Sequence, residues 1–499
     1  MNYPVWDVPI MGSGLVIALI ATTHVFVSHF AIGGGFYLPL LEATALRKGR
    51  RDWLAVAKRH SLFFMVLTNA FGVVSGVGIW FAIGLANPEA TSTLIHYWVL
   101  GWAIEWIAFI VEVTAAAAYY YLWDRVSDAL HLKIGWIYAI SSWLSLVLIN
   151  GILTFMLTPT SAWVKSVKGG HETDLFWHAF FNPTYWPSLC VRTLICFSFA
   201  GVFALITASF MDRDNHPELK VEIIQWSRRW LVPLFLLMPL CMAWYGANIP
   251  ASQRELLLRG VTTISAGMFT QVTRMAIILT ITAATTAVVA FLFTSMGNAL
   301  DLGPGKAIAI AVLAYLTIGS TETIREMIRK PYVISHHMYS NGVRPTSVDE
   351  YNKNGYLSTA IWTLPGEKDR WALQDALVKK GHGHFQQIDR GQLMFRGECM
   401  SCHTLDGYRP MRELVKGRDR KNVMNLLGLL HSPTADSPYR AYMPPLVGTQ
   451  PEIQALADYL ISLNPPEPHK APATAPQEAP TSAPKKAPGP AAVAVLPKG

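Results

Sequence analysis

The chain has 499 residues, of which 52% are hydrophobic and 15% charged, and its mean hydropathy is +0.29. That is too apolar for an ordinary soluble enzyme and marks a polytopic membrane protein. The formal charge of +8 sits mostly in loops between apolar segments, so it implies no nucleic-acid partner.

In chain order, eight apolar windows are long enough to cross a bilayer core as helices: about 10–41, 61–86, 94–122, 134–158, 186–211, 230–248, 267–296 and 305–325. The first is expected to be a span and not a cleaved leader, since no basic residue precedes it and its apolar run is long. With the N-terminus outside, the inside loops near 47–60, 124–133, 211–230 and 297–306 carry thirteen Lys/Arg. The outside loops carry four, Lys165, Lys168, Arg254 and Arg259. The positive-inside rule therefore predicts a multi-pass protein of the bacterial inner membrane with a periplasmic N-terminus. Eight spans return the chain to the same side after about residue 325. The expected fold class is all-α, with a polytopic transmembrane bundle of about eight helices over residues 1–330. Residues 331–384 read as an ordered connector and 385–464 as a small helical domain. Residues 465–499, with ten prolines in 35 positions, read as a disordered tail.

Within the small domain, Cys399-Met400-Ser401-Cys402-His403 is a CxxCH motif, the attachment signature of covalent haem c. Two thiols bond the two vinyl groups, and the next His reaches the iron from the same side. Gln386–Arg396 is a helical lead-in, Leu405-Asp406-Gly407 a turn, and Pro451–Leu463 a closing amphipathic helix. Met443-Pro444-Pro445 follows His403 by forty residues, where single-haem cytochromes c supply the distal ligand, so His403 and Met443 are the expected axial pair. A zinc site would need a second Cys pair, and a redox dithiol a βαβ setting; neither is present in the sequence. Haem c is attached outside the cytoplasm, which agrees independently with the loop charges.

Ionisable residues inside spans cost about 2.5–3.5 kcal/mol each on insertion scales and are functional candidates by default. They are His24 and His29, Glu105 and Glu112, Arg192, Arg274, and the group Glu322, Arg325, Glu326. Glu105 and Glu112 are seven apart and share a helix face, which suits iron ligation or a proton path. The competing reading is that they pair with Arg192 or Arg274 for folding alone. His24 precedes Gly33-Gly34-Gly35, where a helix or a flat cofactor can approach closely. His29 lies about 140° further round the helix, so one haem would not use both.

These motifs resemble subunit I of the cytochrome bd-type oxidases, over residues 8–335. THVFVSHFAIGGG matches the family's first-span His at His24. Ile104-Glu105, Glu112 and Trp123-Asp124-Arg125 match its third span, and Glu326-Met-Ile-Arg329-Lys-Pro331-Tyr332 matches the end of its eighth. The resemblance implies two non-covalent haems, b and/or d, where dioxygen is reduced to water. His24, Glu105 and Glu326 would be iron ligands, Arg329 a propionate partner, and Glu105 with Glu112 catalytic proton carriers. Met275 would stand for the family's span-seven Met, although it directly follows Arg274, one residue short of the usual spacing. The family's span-five His is replaced by Arg192, and the loop before span seven is reduced to about Gly246–Gly267. With a fused haem c domain, the chain is expected to be a cytochrome c-linked oxidase of the haem c-containing branch. Its expected partners are a second bd-like membrane subunit, a soluble periplasmic cytochrome or other donor, and membrane lipid. A quinol dehydrogenase and an electron-wiring subunit without dioxygen chemistry are the alternatives.

Overall fold

A computed structural model describes residues 3–168, 175–251, 253–255, 268–295, 299–433 and 437–464. The expected disordered tail, and residues 256–267 of the shortened loop, lie outside the described residues. Among those described, the membrane part comprises α1 (Gly12–Arg47), α2 (Arg51–Met65), α3 (Val73–Ala86), α4 (Pro88–Tyr97), α5 (Val99–Tyr121) and α6 (Asp128–Leu157). It continues with α7 (Ser161–Lys168), α8 (Phe176–Phe180), α9 (Tyr185–Ser209), α10 (Pro217–Arg228), α11 (Val232–Asn248), α12 (Met268–Thr294) and α13 (Pro304–Ile328). Among the described residues seven helical segments are long and apolar enough to cross a membrane, α2 and α3 counting as one through the π-helical turn Val66–Gly72. The window expected at 230–248 is the shorter α11, of 17 residues. That at 94–122 is broken by Trp98 into α4 and α5, with Pro88 starting α4 and the Asn87 side chain capping it.

The bundle is organised around α1, which is 36 residues long, about 54 Å at the usual rise. Phe30, Tyr37, Leu38 and Leu41 of α1 are almost fully buried among residues of α2, α6 and α9. The glycine run sets this packing. A Cβ on Gly33 would overlap the Cys196 carbonyl of α9, one on Gly34 the Phe64 ring, and one on Gly35 the Tyr138 ring. Helix and aromatic groups therefore occupy the close approach that the glycines permit.

After α13 the chain lies across one end of the bundle. Strands β1 (Tyr332–Ile334) and β2 (Met338–Tyr339) pair antiparallel, and Val333, Ile334 and Met338 enter a core with Trp98, Phe155 and Trp163. Helices α14 (Val348–Asn354), α15 (Tyr356–Thr359) and α16 (Pro365–Lys379) lead to α17 (Ile388–Glu398), α18 (Met411–Val415), α19 (Arg420–His431) and α20 (Gln450–Ser462). Here α17 packs on α20. The second core joins Phe395, Val423, Leu427, Leu456 and Leu460 to Tyr356, Leu357 and Trp371, so residues of the connector help to close the C-terminal unit. Glu452 ties the two together: its carboxylate accepts from the Tyr356, Leu357 and Thr449 amides at 2.9, 2.8 and 2.8 Å.

Candidate functional site

In the C-terminal unit, Cys399 closes α17 and the next four residues wrap back on it. The amides of Cys402 and His403 donate to the Cys399 carbonyl at 3.1 and 2.9 Å, which puts both thiols and the imidazole on one turn. His403 Nδ1 is 3.1 Å from the Arg409 carbonyl. A carbonyl only accepts, so Nδ1 carries the proton and Nε2 keeps its lone pair. Burial holds the imidazole pKa below its usual value, so the ring is neutral, the form that ligates iron. Cys399, Met400, Leu405, Met411, Met424 and Leu430 flank the core here. Met443 follows the short turn Pro438–Ala441, its amide bonded to the Tyr439 carbonyl at 2.8 Å. Leu446 then bonds back to Leu430 at 3.0 Å, closing the segment onto the end of α19. Two thiols, a tautomer-fixed imidazole and an apolar surround fit a covalently held haem.

Inside the bundle, His24 lies about 18 Å along α1 from its start. Its Nδ1 is 3.0 Å from Ser75 Oγ, whose own proton goes to the Phe71 carbonyl at 2.7 Å. Nδ1 must therefore donate, and Nε2 of His24, like that of His403, is left as an acceptor. Ser75 and Gly76 face His24 just after the π-helical turn, and a Cβ on Gly76 would come 3.2 Å from the ring. Such turns often mark functional sites. On α5, Glu105 accepts from Ser145 Oγ of α6 at 3.1 Å, and Glu112 keeps one buried carboxylate oxygen without a partner. At the end of α13, Glu326 pairs with Arg329 and, at 3.2 Å, with Lys330, while Arg329 keeps a buried, unpartnered Nε. The unpartnered Glu112 oxygen and the His24 imidazole suit an iron-bearing group, and the Arg329 guanidinium suits its carboxylates.

Among the described residues no three or more His, Cys, Asp or Glu side chains gather as a metal-chelating group, so His24, Glu105 and Glu326 do not form one cluster by themselves. Arg192 pairs with Glu322 at 3.5 Å, and Glu322 also with Arg325 at 2.8 Å. Arg192 is thus engaged with α13 and not with the α5 acids. Arg274 is exposed on α12 and Met275 is half-buried beside it.

His29, already a candidate from the sequence, is joined by two features that sequence reasoning misses, at His60 and at Glu42. His29 is 3% exposed, with Nδ1 on the Val25 carbonyl at 2.6 Å and a buried, unpartnered Nε2. His60 holds Thr207 Oγ1 at 2.8 Å and likewise leaves Nε2 buried and unpartnered. Glu42 accepts from the Tyr119 hydroxyl at 2.5 Å and lies 2.8 Å from His131 Nδ1, whose Nε2 reaches the Tyr119 carbonyl at 2.7 Å. The apolar window ends at about 41, one residue before Glu42, and His131 falls in an expected loop; neither position announces its burial.

Among the described residues, seven helical segments long and apolar enough to cross a membrane, with acids and imidazoles along the bundle, define an integral membrane protein. Residues 13–255 match the family model described as cytochrome bd terminal oxidase subunit I. The chain is 28% identical over 209 residues to "Putative cytochrome bd menaquinol oxidase subunit I" of Bacillus subtilis (strain 168), covering 41% of this chain and 46% of that protein. The match thus spans about half the length of that curated relative. The fold is similar to that of the bd oxidase from Geobacillus thermodenitrificans, with a TM-score of 0.56, 16% identity, and coverage of 74% of this chain and 94% of the other.

Proposed function

We propose that this chain is the haem-bearing subunit of a bd-type oxidase that draws electrons from a periplasmic donor through haem c and reduces dioxygen to water. The observation that carries the reading is the CxxCH turn, with His403 Nδ1 committed to the Arg409 carbonyl, in a unit packed against the first turn of α1. That helix also bears His24, whose Nε2 is likewise left as an acceptor. Bound haem supplies one-electron transfer and, in the membrane, the iron at which four electrons and four protons convert dioxygen to two waters. The chain's own residues do the rest. Cys399 and Cys402 would hold the haem c ring covalently, and His403 and Met443 would ligate its iron. His24, Glu105 and Glu326 serve the membrane irons, with Met275 the remaining candidate; Arg329 holds carboxylates, and Glu112 and Glu105 pass protons.

Apolar side chains such as Phe81, Ile104, Trp106 and Ile107 are exposed on α3 and α5, a surface for lipid and for a second membrane subunit. The loop charges support an inner-membrane location with the haem c unit outside. Pyridine haemochrome analysis and oxygen uptake test the whole reading: covalent haem c, non-covalent haem, and turnover with a reduced soluble cytochrome are expected. Robust quinol oxidation by a preparation lacking functional haem c overturns it in favour of quinol as donor. Full activity in a lone, haem-replete monomer overturns the second subunit.

A further inference from the structure

We propose that the N-terminal segment is a positioning element for the haem c iron ligand, the Ile10 backbone carbonyl holding the loop that orients His403. The proposal rests on the haem c reading above. Residues 3–10 are first pinned to the membrane bundle. The Tyr3 hydroxyl donates to the Gly84 carbonyl, and the Trp6 amide to the Leu85 carbonyl at 2.9 Å. The same segment then meets the C-terminal unit. Arg396 Nε donates to the Val5 carbonyl at 3.3 Å, and the Tyr408 amide donates to the Ile10 carbonyl at 2.8 Å.

The fit is backbone against backbone. A Cβ on Gly407 would overlap the Ile10 carbonyl, and one on Gly14 would stand 3.3 Å from the Ser401 carbonyl. Gly12, at φ +73°, leaves room for Thr404, whose methyl would lie 2.9 Å from a Cβ there. The loop between these contacts is closed on itself: Thr404 Oγ1 accepts from the Gly407 amide at 2.9 Å and donates to the Tyr408 carbonyl at 3.0 Å. The next residue, Arg409, is held at φ +52°, an uncommon conformation for a side-chain-bearing residue, and it is the Arg409 carbonyl that takes the His403 Nδ1 proton. Ile10, Tyr408, Arg409 and His403 therefore form one mechanical path from the membrane bundle to the ligand. A mere packing contact would need no such sequence of backbone hydrogen bonds ending on the imidazole.

Donation from Nδ1 raises the basicity of Nε2, which favours the ferric over the ferrous ion. Loosening the Ile10–Tyr408 contact should weaken that donation and raise the haem c midpoint potential. The test uses the full-length protein with Gly407→Val, which collides from the haem side, and Gly12→Val, which changes no residue of the haem loop and presses on Thr404 from the bundle side; Ile10→Val, which keeps the carbonyl, is the control. Covalent haem c content is measured first. Hydrogen exchange at the Tyr408 amide and redox titration of haem c follow. Strong Tyr408 protection in wild type and control, lost in both glycine variants together with a raised potential, supports the proposal. Rapid Tyr408 exchange in wild type, or loss of protection with an unmoved potential, overturns it. Absence of covalent haem from the wild-type protein sinks the haem c reading itself, and the proposal with it.

Discussion

Glu322→Gln removes the carboxylate that bridges two guanidinium groups and keeps its volume. At 2.8 Å from Arg325 and 3.5 Å from Arg192, the gross attractions are about 6 and 5 kcal/mol at an effective dielectric of roughly 20. Desolvation offsets most of this. What the substitution exposes is the penalty of leaving guanidinium groups in the bundle without their counter-charge, about 3–5 kcal/mol for a buried pair broken on one side. Arg192→Leu alone leaves Glu322 with Arg325 and should be milder. The two substitutions together should couple by about 2 kcal/mol, because the second removes the cation that the first strands. Thermal unfolding in detergent, followed by tryptophan fluorescence at equal haem loading, measures all four corners of the cycle. A Glu322→Gln protein within about 1 kcal/mol of wild type, or strictly additive substitutions, would show that the Arg192–Glu322 contact does not hold the bundle together.

Met443→Ala should abolish the weak sulfur–iron charge-transfer band of haem c; a band that survives, or is missing from wild type, removes Met443 as ligand. His24→Ala and Glu326→Ala should each lower non-covalent haem while leaving haem c intact, and unchanged haem with unchanged oxygen uptake in both would assign these residues to packing. Reduced soluble cytochrome should sustain oxygen uptake where quinol does not, as a comparison of initial rates shows directly. His337, 7% exposed against Trp163 and Tyr97, is held neutral by burial, with the Arg344 and Lys168 charges adding to the effect, and its pKa falls to about 4. The unfolded chain takes up a proton below about pH 6.5 that the folded chain refuses until about 4. Stability of the 332–339 region should therefore fall as pH drops through that window, by about 3 kcal/mol in full. His337→Phe should flatten the dependence, and an unchanged pH profile of hydrogen exchange in that variant would contradict the assignment.

Much of the architecture is legible in the sequence because a bilayer imposes a length on apolar runs, and α1, α6, α9 and α13 follow their windows closely. What the windows miss is set by contacts between helices. A hydropathy run cannot register that Glu42 is buried, because its burial depends on a hydroxyl from Tyr119 and an imidazole from elsewhere in the chain, His131. The CxxCH turn is legible because its chemistry is local, five consecutive residues sufficing. The partner of Arg192 is not: Glu322 is 130 positions away, and two acids on α5 are equally plausible until the packing of α9 on α13 is seen. The glycine run at 33–35 signals close approach without naming the occupant, which proves to be α9 and two aromatic rings.

The contact between Ile10 and Tyr408 also settles a question of parity. It brings the start of α1 and the C-terminal unit to the same side of the bilayer, and a chain that begins and ends on one side crosses it an even number of times. Among the described residues seven helical segments meet the length criterion, which is odd. The count closes if α11 crosses as well. Its 17 residues reach about 25 Å, at the short end of what a hydrocarbon core accepts, so the bilayer around α11 should be pinched or its ends drawn inward.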